Sequence, residues 1–227
     1  MRNLSGTPNA GRLGYAAVRR LNGAFLLSLL RRHGPTSRAE LARLSGLTKP
    51  TVSSQITDLI ERGIVVEHGV VVPDARGGKP STLVRFNPGL GHLIAIEISA
   101  AEVRIRLTDL DGEKLDAEAA PIEPDRGARH VIQTAIRAVN RVLKRGEGRR
   151  EKLMVAAVAA PGRIDAEAGK VVETGNVFHW ANVAIREPLE RDFGVPVVVE
   201  NDVNFATLGE MHFGLGRGVR NFILIRL

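Results

Sequence analysis

The residues best suited to contacting a polymer lie between Ser37 and Gly63, in SRAELARLSGLTKPTVSSQITDLIERG. At helical spacing, Pro50, Thr51, Ser54 and Asp58 share one face, flanked by Lys49, Ser53 and Gln55. Hydroxyls and an amide can exchange hydrogen bonds with base edges, and a lysine can meet phosphate. Small polar side chains also suit a helix that must enter a groove. Thr48 opens this stretch, and Ser37 and Arg38 open the helical pattern before it; all three are expected near the same polyanion. A second basic point is the loop PDARGGKP, where Arg76 and Lys79 are placed to touch phosphate or a minor groove. A plain hairpin with a charged tip would have the same composition.

The elements that position these residues are legible. Ser37 followed by Glu40 has the spacing of a capping box. Leu41 and Leu44 supply the apolar side of a short helix that Ser45-Gly46-Leu47 interrupts. Thr48 caps the next helix, and Pro50 is tolerated in its first turn, where backbone N–H groups lack helical partners. Val52, Ile56, Leu59 and Ile60 form its buried face. An ordinary helical hairpin would share this spacing, but the flanks favour a helix-turn-helix with the second helix as reader. Upstream, Tyr15–Arg32 is helical, with a stripe of Val18, Leu21, Phe25, Leu26 and Leu29, and His33-Gly34-Pro35 ends it. Downstream, residues 64–67 and 82–86 read as two strands around the basic loop, a wing.

Composition and charge agree. The chain has 227 residues, 44% hydrophobic and 25% charged, as in ordinary globular proteins. It has no cysteine, which excludes disulfides and cysteine-bound zinc within it. The start, MRNLSGTPNAGRLGY, lacks the apolar core of a signal peptide, and no apolar run is long enough to span a membrane. A cytoplasmic location is expected. Residues 1–90 hold 13 Lys/Arg against 5 Asp/Glu, a net +8, whereas residues 91–227 hold 19 against 20, a net −1. The excess basicity lies with the expected DNA reader.

The boundaries expected are a flexible N-terminus over 1–14, a winged helix-turn-helix over 15–88, and an α/β region over 89–227. In the last, residues 93–98, 103–107 and 114–118 read as strands, with a turn at Asp111-Gly112. Residues 128–143 are helical. Residues 153–160, wholly apolar, read as a strand buried on both faces. Helix over 185–193, strand over 196–200, helix over 203–213 and a last strand over 222–227 follow.

Taken in order, these segments resemble the ROK family of repressors, open reading frames and sugar kinases. The matching pieces are the helix-turn-helix layout, GGKPSTLVRFNP, IAIEISAAEVRIRLTDLDG, VAAVAAPGRID, ETGNVFHW and VPVVVENDVNFATLGEMHFGLGRG. The resemblance implies an α/β fold: an N-terminal winged helix-turn-helix, then an incomplete actin-like, ribonuclease H-like ATPase domain of the ROK sugar-kinase-like type, its C-terminal half absent. It implies that Asp202 takes the place of the kinases' catalytic base, that Asn201 binds a second sugar hydroxyl, and that Asn176 lines the same cleft. An aromatic from Phe178 or Trp180 would cover an apolar sugar face. Asp202 as a simple helix cap is the alternative. Where the kinases carry a glycine-containing phosphate turn, this chain has Glu97-Ile98-Ser99-Ala100-Ala101, whose β-carbons hinder close backbone approach to ATP.

The expectation is therefore a transcriptional regulator of repressor type. It binds a double-stranded operator as a homodimer, senses a sugar or sugar derivative, and has no catalytic residue, cofactor or metal. A sugar kinase with an appended DNA-binding domain is the alternative. A winged helix that contacts protein instead is a third reading, separable by salt dependence.

Overall fold

The computed structural model describes residues 10–71, 80–146, 148–175 and 178–225. The chain divides into two compact units, Met1–Asn87 and Pro88–Leu227.

The first unit contains α1 (Ala10–His33), β1 (Thr36–Ser37), α2 (Arg38–Ser45), α3 (Lys49–Glu61), β2 (Val65–Val71) and β3 (Ser81–Phe86). Its three strands pair antiparallel in the order β1-β3-β2, with Thr36 opposite Val84 and Val65 opposite Phe86. This is a winged helix. Leu26, Leu30, Leu41, Val52, Ile56, Val65 and Val84 form its core, each 2% exposed or less. Of the expected stripe on α1, Leu26 and Leu29 face the core and the other three do not. Leu26, Leu29 and Leu30 are buried, whereas Val18, Leu21 and Phe25 are 52%, 69% and 45% exposed. Gly23 explains this division. It is buried against the α3 side chain Gln55, where an added β-carbon would come within 3.3 Å of Oε1, so the glycine face of α1 is the one that packs inward.

The second unit is built on a five-stranded sheet. Its strands are β4 (His92–Ile98), β5 (Glu102–Asp109), β6 (Lys114–Pro121), β7 (Leu153–Ala160) and β11 (Val197–Asn201), in spatial order β11-β7-β4-β5-β6. β4 runs antiparallel to β5 and parallel to β7, and β7 runs parallel to β11. This is the strand order of the ribonuclease H-like fold. Gly112 at φ 87° turns β5 into β6, and the Asp109 carboxylate accepts the N–H groups of Asp111 and Glu113 at 2.9 and 3.0 Å. Helix α4 (Gly127–Lys144) crosses β5 and β6 and buries Val131, Ala135, Ala138, Val139 and Val142 against Ile94, Ile96, Ile105 and Leu107. Two further helices are α5 (Arg186–Phe193) and α6 (Asp202–Phe213).

Three expectations change here. β7 is not buried on both faces: Leu153, Ala156, Val158 and Ala160 are buried while Met154 is 51% exposed, because α4 covers one side of the sheet. Residues 222–225 form no strand, having no ladder partner among the described residues, and Ile223 and Ile225 are 88% and 76% exposed. A small second sheet was missed. It comprises β8 (Arg163–Asp165), β9 (Lys170–Glu173) and β10 (Ala181–Ala184), in the order β10-β9-β8. These strands are three or four residues long, too short for alternation to register.

At the far edge of the large sheet, Arg149 and Arg145 both donate to Asp116, at 2.6 and 3.0 Å, and Asp116 and Glu118 side chains are only 18% and 11% exposed. The Arg149 guanidinium beside Asp116 holds its carboxyl below the usual carboxylate range. A carboxyl with a lowered folded-state pKa stabilises the fold above its unfolded value, and that stabilisation is lost as pH falls through the folded value. Asp116→Asn should therefore lower Tm at neutral pH, and the gap to the parent should close as pH falls below about 4. A Tm gap independent of pH across that range would contradict this ion pair's role.

Candidate nucleic-acid interface and effector cleft

In the winged helix, α3 is fixed at both ends. Thr48 is its N-cap, with φ −67° and ψ 148°, and its hydroxyl oxygen accepts the Thr51 N–H at 3.4 Å. The Thr48 and Thr51 hydroxyls lie 2.8 Å apart. Pro50 occupies the first turn, as its missing N–H permits. On α2, Ser37 is the N-cap and accepts the Glu40 N–H at 3.2 Å, so its oxygen is committed to the helix. Gly46 ends α2 in a left-handed conformation, φ 69°, which turns the chain into α3.

Outward from α3 stand Thr48, Lys49, Pro50, Ser53 and Ser54, all exposed, with Thr51 half-buried. Gln55 does not join them. It is 5% exposed and belongs to the inward arc of Val52, Gln55, Ile56 and Leu59. The reason is angular: Gln55 follows Val52 by three residues and precedes Leu59 by four, the spacing of one helix face. Thr57, four residues after Ser53, is exposed in its place. Asp58 is taken by Arg19 and Arg62, at 3.4 and 3.3 Å. Arg38 is partly buried, and its Nε is enclosed with no hydrogen-bond partner among the described residues. Arg76 and Lys79 lie outside the described residues.

In the second unit, β4, β7 and β11 run parallel, so their carboxyl ends lie side by side. Open α/β sheets present ligands at such ends, where loops expose polar groups without breaking the ladder. Asn201 closes β11 opposite Ala160 of β7. It is the N-cap of α6: its Oδ1 accepts the N–H groups of Val203 and Asn204 at 2.9 and 3.2 Å. Its Nδ2 donates to the Gly162 carbonyl at 2.8 Å. The cap is thus Asn201 rather than Asp202. Asp202 is the first residue of α6, half-buried, with Oδ1 accepting the Val203 N–H at 3.0 Å. Its carboxylate lies at the start of the helix, where backbone N–H groups point outward.

Gly162 ties the cleft together. Its φ is 90°, and a β-carbon there would lie 2.2 Å from the Glu173 carbonyl oxygen and 2.9 Å from Thr174 Cα. The loop after β7 is therefore pressed between Asn201 and residues 173–174. Three segments far apart in sequence meet at this glycine. Asn176 lies outside the described residues. Phe178 and Trp180 do not present rings to a cleft: they are 7% and 4% exposed, sit in the core, and meet in a tilted contact with centroids 4.7 Å apart. His179 and Asn182 nearby hold left-handed conformations, φ 50° and 52°.

The turn at the end of β4 is closed by its own residues. Ser99 N–H and Oγ both donate to the Glu102 carbonyl, at 3.0 and 2.9 Å. Glu97 and Glu102 share Arg104, at 3.5 and 2.6 Å. A cavity of about 640 Å³ lies on the sheet face away from α4, lined by Ala95, Glu97, Arg104, Ala157, Ala159 and Phe205. Sequence reasoning missed Arg186, whose guanidinium donates to the carbonyls of Val197, Glu167 and Ala166 at 3.0, 2.6 and 2.5 Å. It fastens the small sheet to β11, and nothing in its local pattern signals this.

The cap geometry gives a stability test. Asn201→Ala removes the acceptor for two helix N–H groups and should lower the unfolding free energy by about 1–2 kcal/mol. Asp202→Ala should lower it by about 0.5 kcal/mol, the scale of a helix-dipole interaction. Chemical denaturation of both variants measures this, and equal losses would return the capping role to Asp202.

A model of the ROK family matches residues 93–227, and one for winged helix-turn-helix DNA-binding domains matches residues 26–66. The xylose repressor of Caldicellulosiruptor bescii is 26% identical over 200 residues, covering 88% of this chain and 49% of that protein. The DNA-binding transcriptional dual regulator NagC of Escherichia coli K12 is 27% identical over 212 residues, covering 92% and 51%. The chain spans about half the length of the curated relatives it matches. Among solved structures, a ROK family transcriptional regulator, a homologue of the E. coli MLC protein, superposes with a TM-score of 0.65 at 21% identity, covering 86% of this chain and 49% of that one. That likeness extends to the winged helix and the α/β unit in the same order, and with the family model spanning more than half of the residues, the chain belongs to the ROK family.

Proposed function

We propose that this chain is a sequence-specific transcriptional regulator of repressor type, acting on carbohydrate genes in the cytoplasm. The observation that carries this reading is the outward face of α3. Thr48, Lys49, Pro50, Thr51, Ser53 and Ser54 are small or cationic and solvent-facing on a rigid winged-helix frame. Recognition helices in such frames read the major groove through their N-terminal residues. Arg38, Ser37, Arg76 and Lys79 are assigned to the sugar-phosphate backbone around that helix, Ser37 through its backbone groups.

The α/β unit is the sensor. Asp202 and Asn176 are assigned to hydroxyl groups of a sugar or sugar derivative, with Asn201 holding the start of α6 and offering its second amide hydrogen. Similarity to proteins named for xylose and N-acetylglucosamine control supports a carbohydrate effector. Ligand binding would shift the population between DNA-competent and incompetent arrangements. A two-fold homodimer would match paired half-sites. The unit is proposed to be non-catalytic. In the turn after β4, Ser99, Ala100 and Ala101 carry β-carbons where phosphate binding needs close backbone approach. ATP turnover in the presence of sugars would overturn this part.

Three measurements test the reading. Ser54→Glu puts a carboxylate against DNA and should abolish sequence-specific binding in an anisotropy titration while leaving the circular dichroism spectrum unchanged. Undiminished operator affinity would remove α3 from the interface. Lys49→Ala should weaken binding to all sequences and reduce the slope of log affinity against log salt by about one unit. In calorimetry against a panel of sugars, Asp202→Ala should lose the heat seen with the parent, and equal binding would leave Asp202 with only a local role at the helix start.

A further inference from the structure

Charge in the α/β half is segregated. Between residues 126 and 152 there are nine Lys/Arg and two Asp/Glu, whereas the rest of residues 91–227 holds ten and eighteen. Four of the nine lie on α4, which has no acidic residue in its 18 positions. Arg129, Gln133, Arg137, Arg141 and Lys144 are all exposed and recur every three or four residues, so they form one stripe along the outer side of the helix.

A solvated helix face ordinarily mixes both signs, since like charges at this spacing repel. Three features separate this stripe from that case. Among the described residues carboxylates meet only its far end: Arg141 and Arg145 pair with Glu118, and Arg145 and Arg149 with Asp116. Among the described residues no carboxylate pairs with Arg129, Arg137 or Lys144, and the only bond Arg137 makes is to the Thr134 hydroxyl at 3.0 Å. The helix dipole favours cations in the last turn, which accounts for Lys144, but it disfavours Arg129 in the first turns. The stripe also contains no apolar or aromatic side chain, so it lacks the centre of a protein–protein interface and has the polar, cationic make-up of a nucleic-acid one.

We infer that the exposed side of α4 is a second, sequence-independent contact for DNA phosphate, carried by Arg129, Arg137 and Lys144. This rests on the proposed DNA-binding function and adds a surface to it outside the winged helix. From Arg129 to Lys144 the helix rises about 22 Å, the length of roughly six base-pair steps along the duplex axis. The contact reads no bases. It adds affinity and salt dependence to any duplex the winged helix engages.

The test uses the whole chain and a long random-sequence duplex, with affinity measured by anisotropy between about 50 and 200 mM salt. The variant Arg129→Ala/Arg137→Ala/Lys144→Ala should flatten the slope of log affinity against log salt by roughly two to three units, about 0.9 for each phosphate no longer neutralised. The control Lys114→Ala/Lys170→Ala/Arg217→Ala removes the same charge from other exposed positions and should leave the slope unchanged. Equal flattening by both variants would show a net-charge effect and overturn the inference. An unchanged slope in the α4 variant would also overturn it, as would loss of binding to polyglutamate with duplex binding intact, which would make the stripe a site for an acidic protein. Failure of the parent reading is separable, because it appears as operator binding unaffected by Ser54→Glu.

Discussion

The orientation of α3 is set by what it must bury. Val52, Gln55, Ile56 and Leu59 face inward against α1 and the wing strands, and once that arc is fixed, Lys49, Ser53 and Ser54 have to face water. The contact between Gln55 and Gly23 sharpens the constraint, because α1 can approach α3 only on its glycine side. Burying Val52 and Ile56, both 0% exposed, stabilises each side chain by about 1.5–3 kcal/mol. No single polar contact on the outer face could offset a rotation that exposed them. The outward surface of α3 is thus a consequence of the core.

A comparable constraint shapes the second unit. Three parallel strands place their carboxyl ends in a row, and Gly162 lets the loop after β7 lie against both Asn201 and residues 173–174. Asn201 then does two structural tasks at once, holding the start of α6 and the Gly162 carbonyl. Two carboxylates flank it in sequence, Glu200, which accepts the Asn201 N–H at 2.7 Å, and Asp202, which accepts the Val203 N–H at 3.0 Å. A cleft built this way is held in place by the backbone.

Much of this was legible in the sequence. The caps at Ser37 and Thr48, the Gly46 break and the two-sided pattern of α3 follow from local rules, and the structure has them where those rules put them. So do the sheet's longer strands and α4. The errors share a cause, which is that the sequence pattern names faces and the packing partner chooses among them. On α1, Val18, Leu21 and Phe25 are as apolar as Leu26 and Leu29 of the same stripe, yet the side that packs inward is the one with Leu26, Leu29 and the close approach at Gly23. Gln55 is polar by type but inward by angle. Trp180 and Phe178 looked like cleft aromatics and are core. The short strands β8 to β10 and the reach of Arg186 depend on contacts between distant segments, which no local window contains.

Chemical interference tests most directly whether α3 enters the major groove, as proposed. Methylation at guanine N7 alters the major-groove edge of a base pair, whereas methylation at adenine N3 alters the minor-groove edge. With an operator selected from a random pool, N7 methylation at a small set of guanines should block binding. Binding indifferent to N7 methylation everywhere in the selected site would contradict the placement of α3 in the major groove.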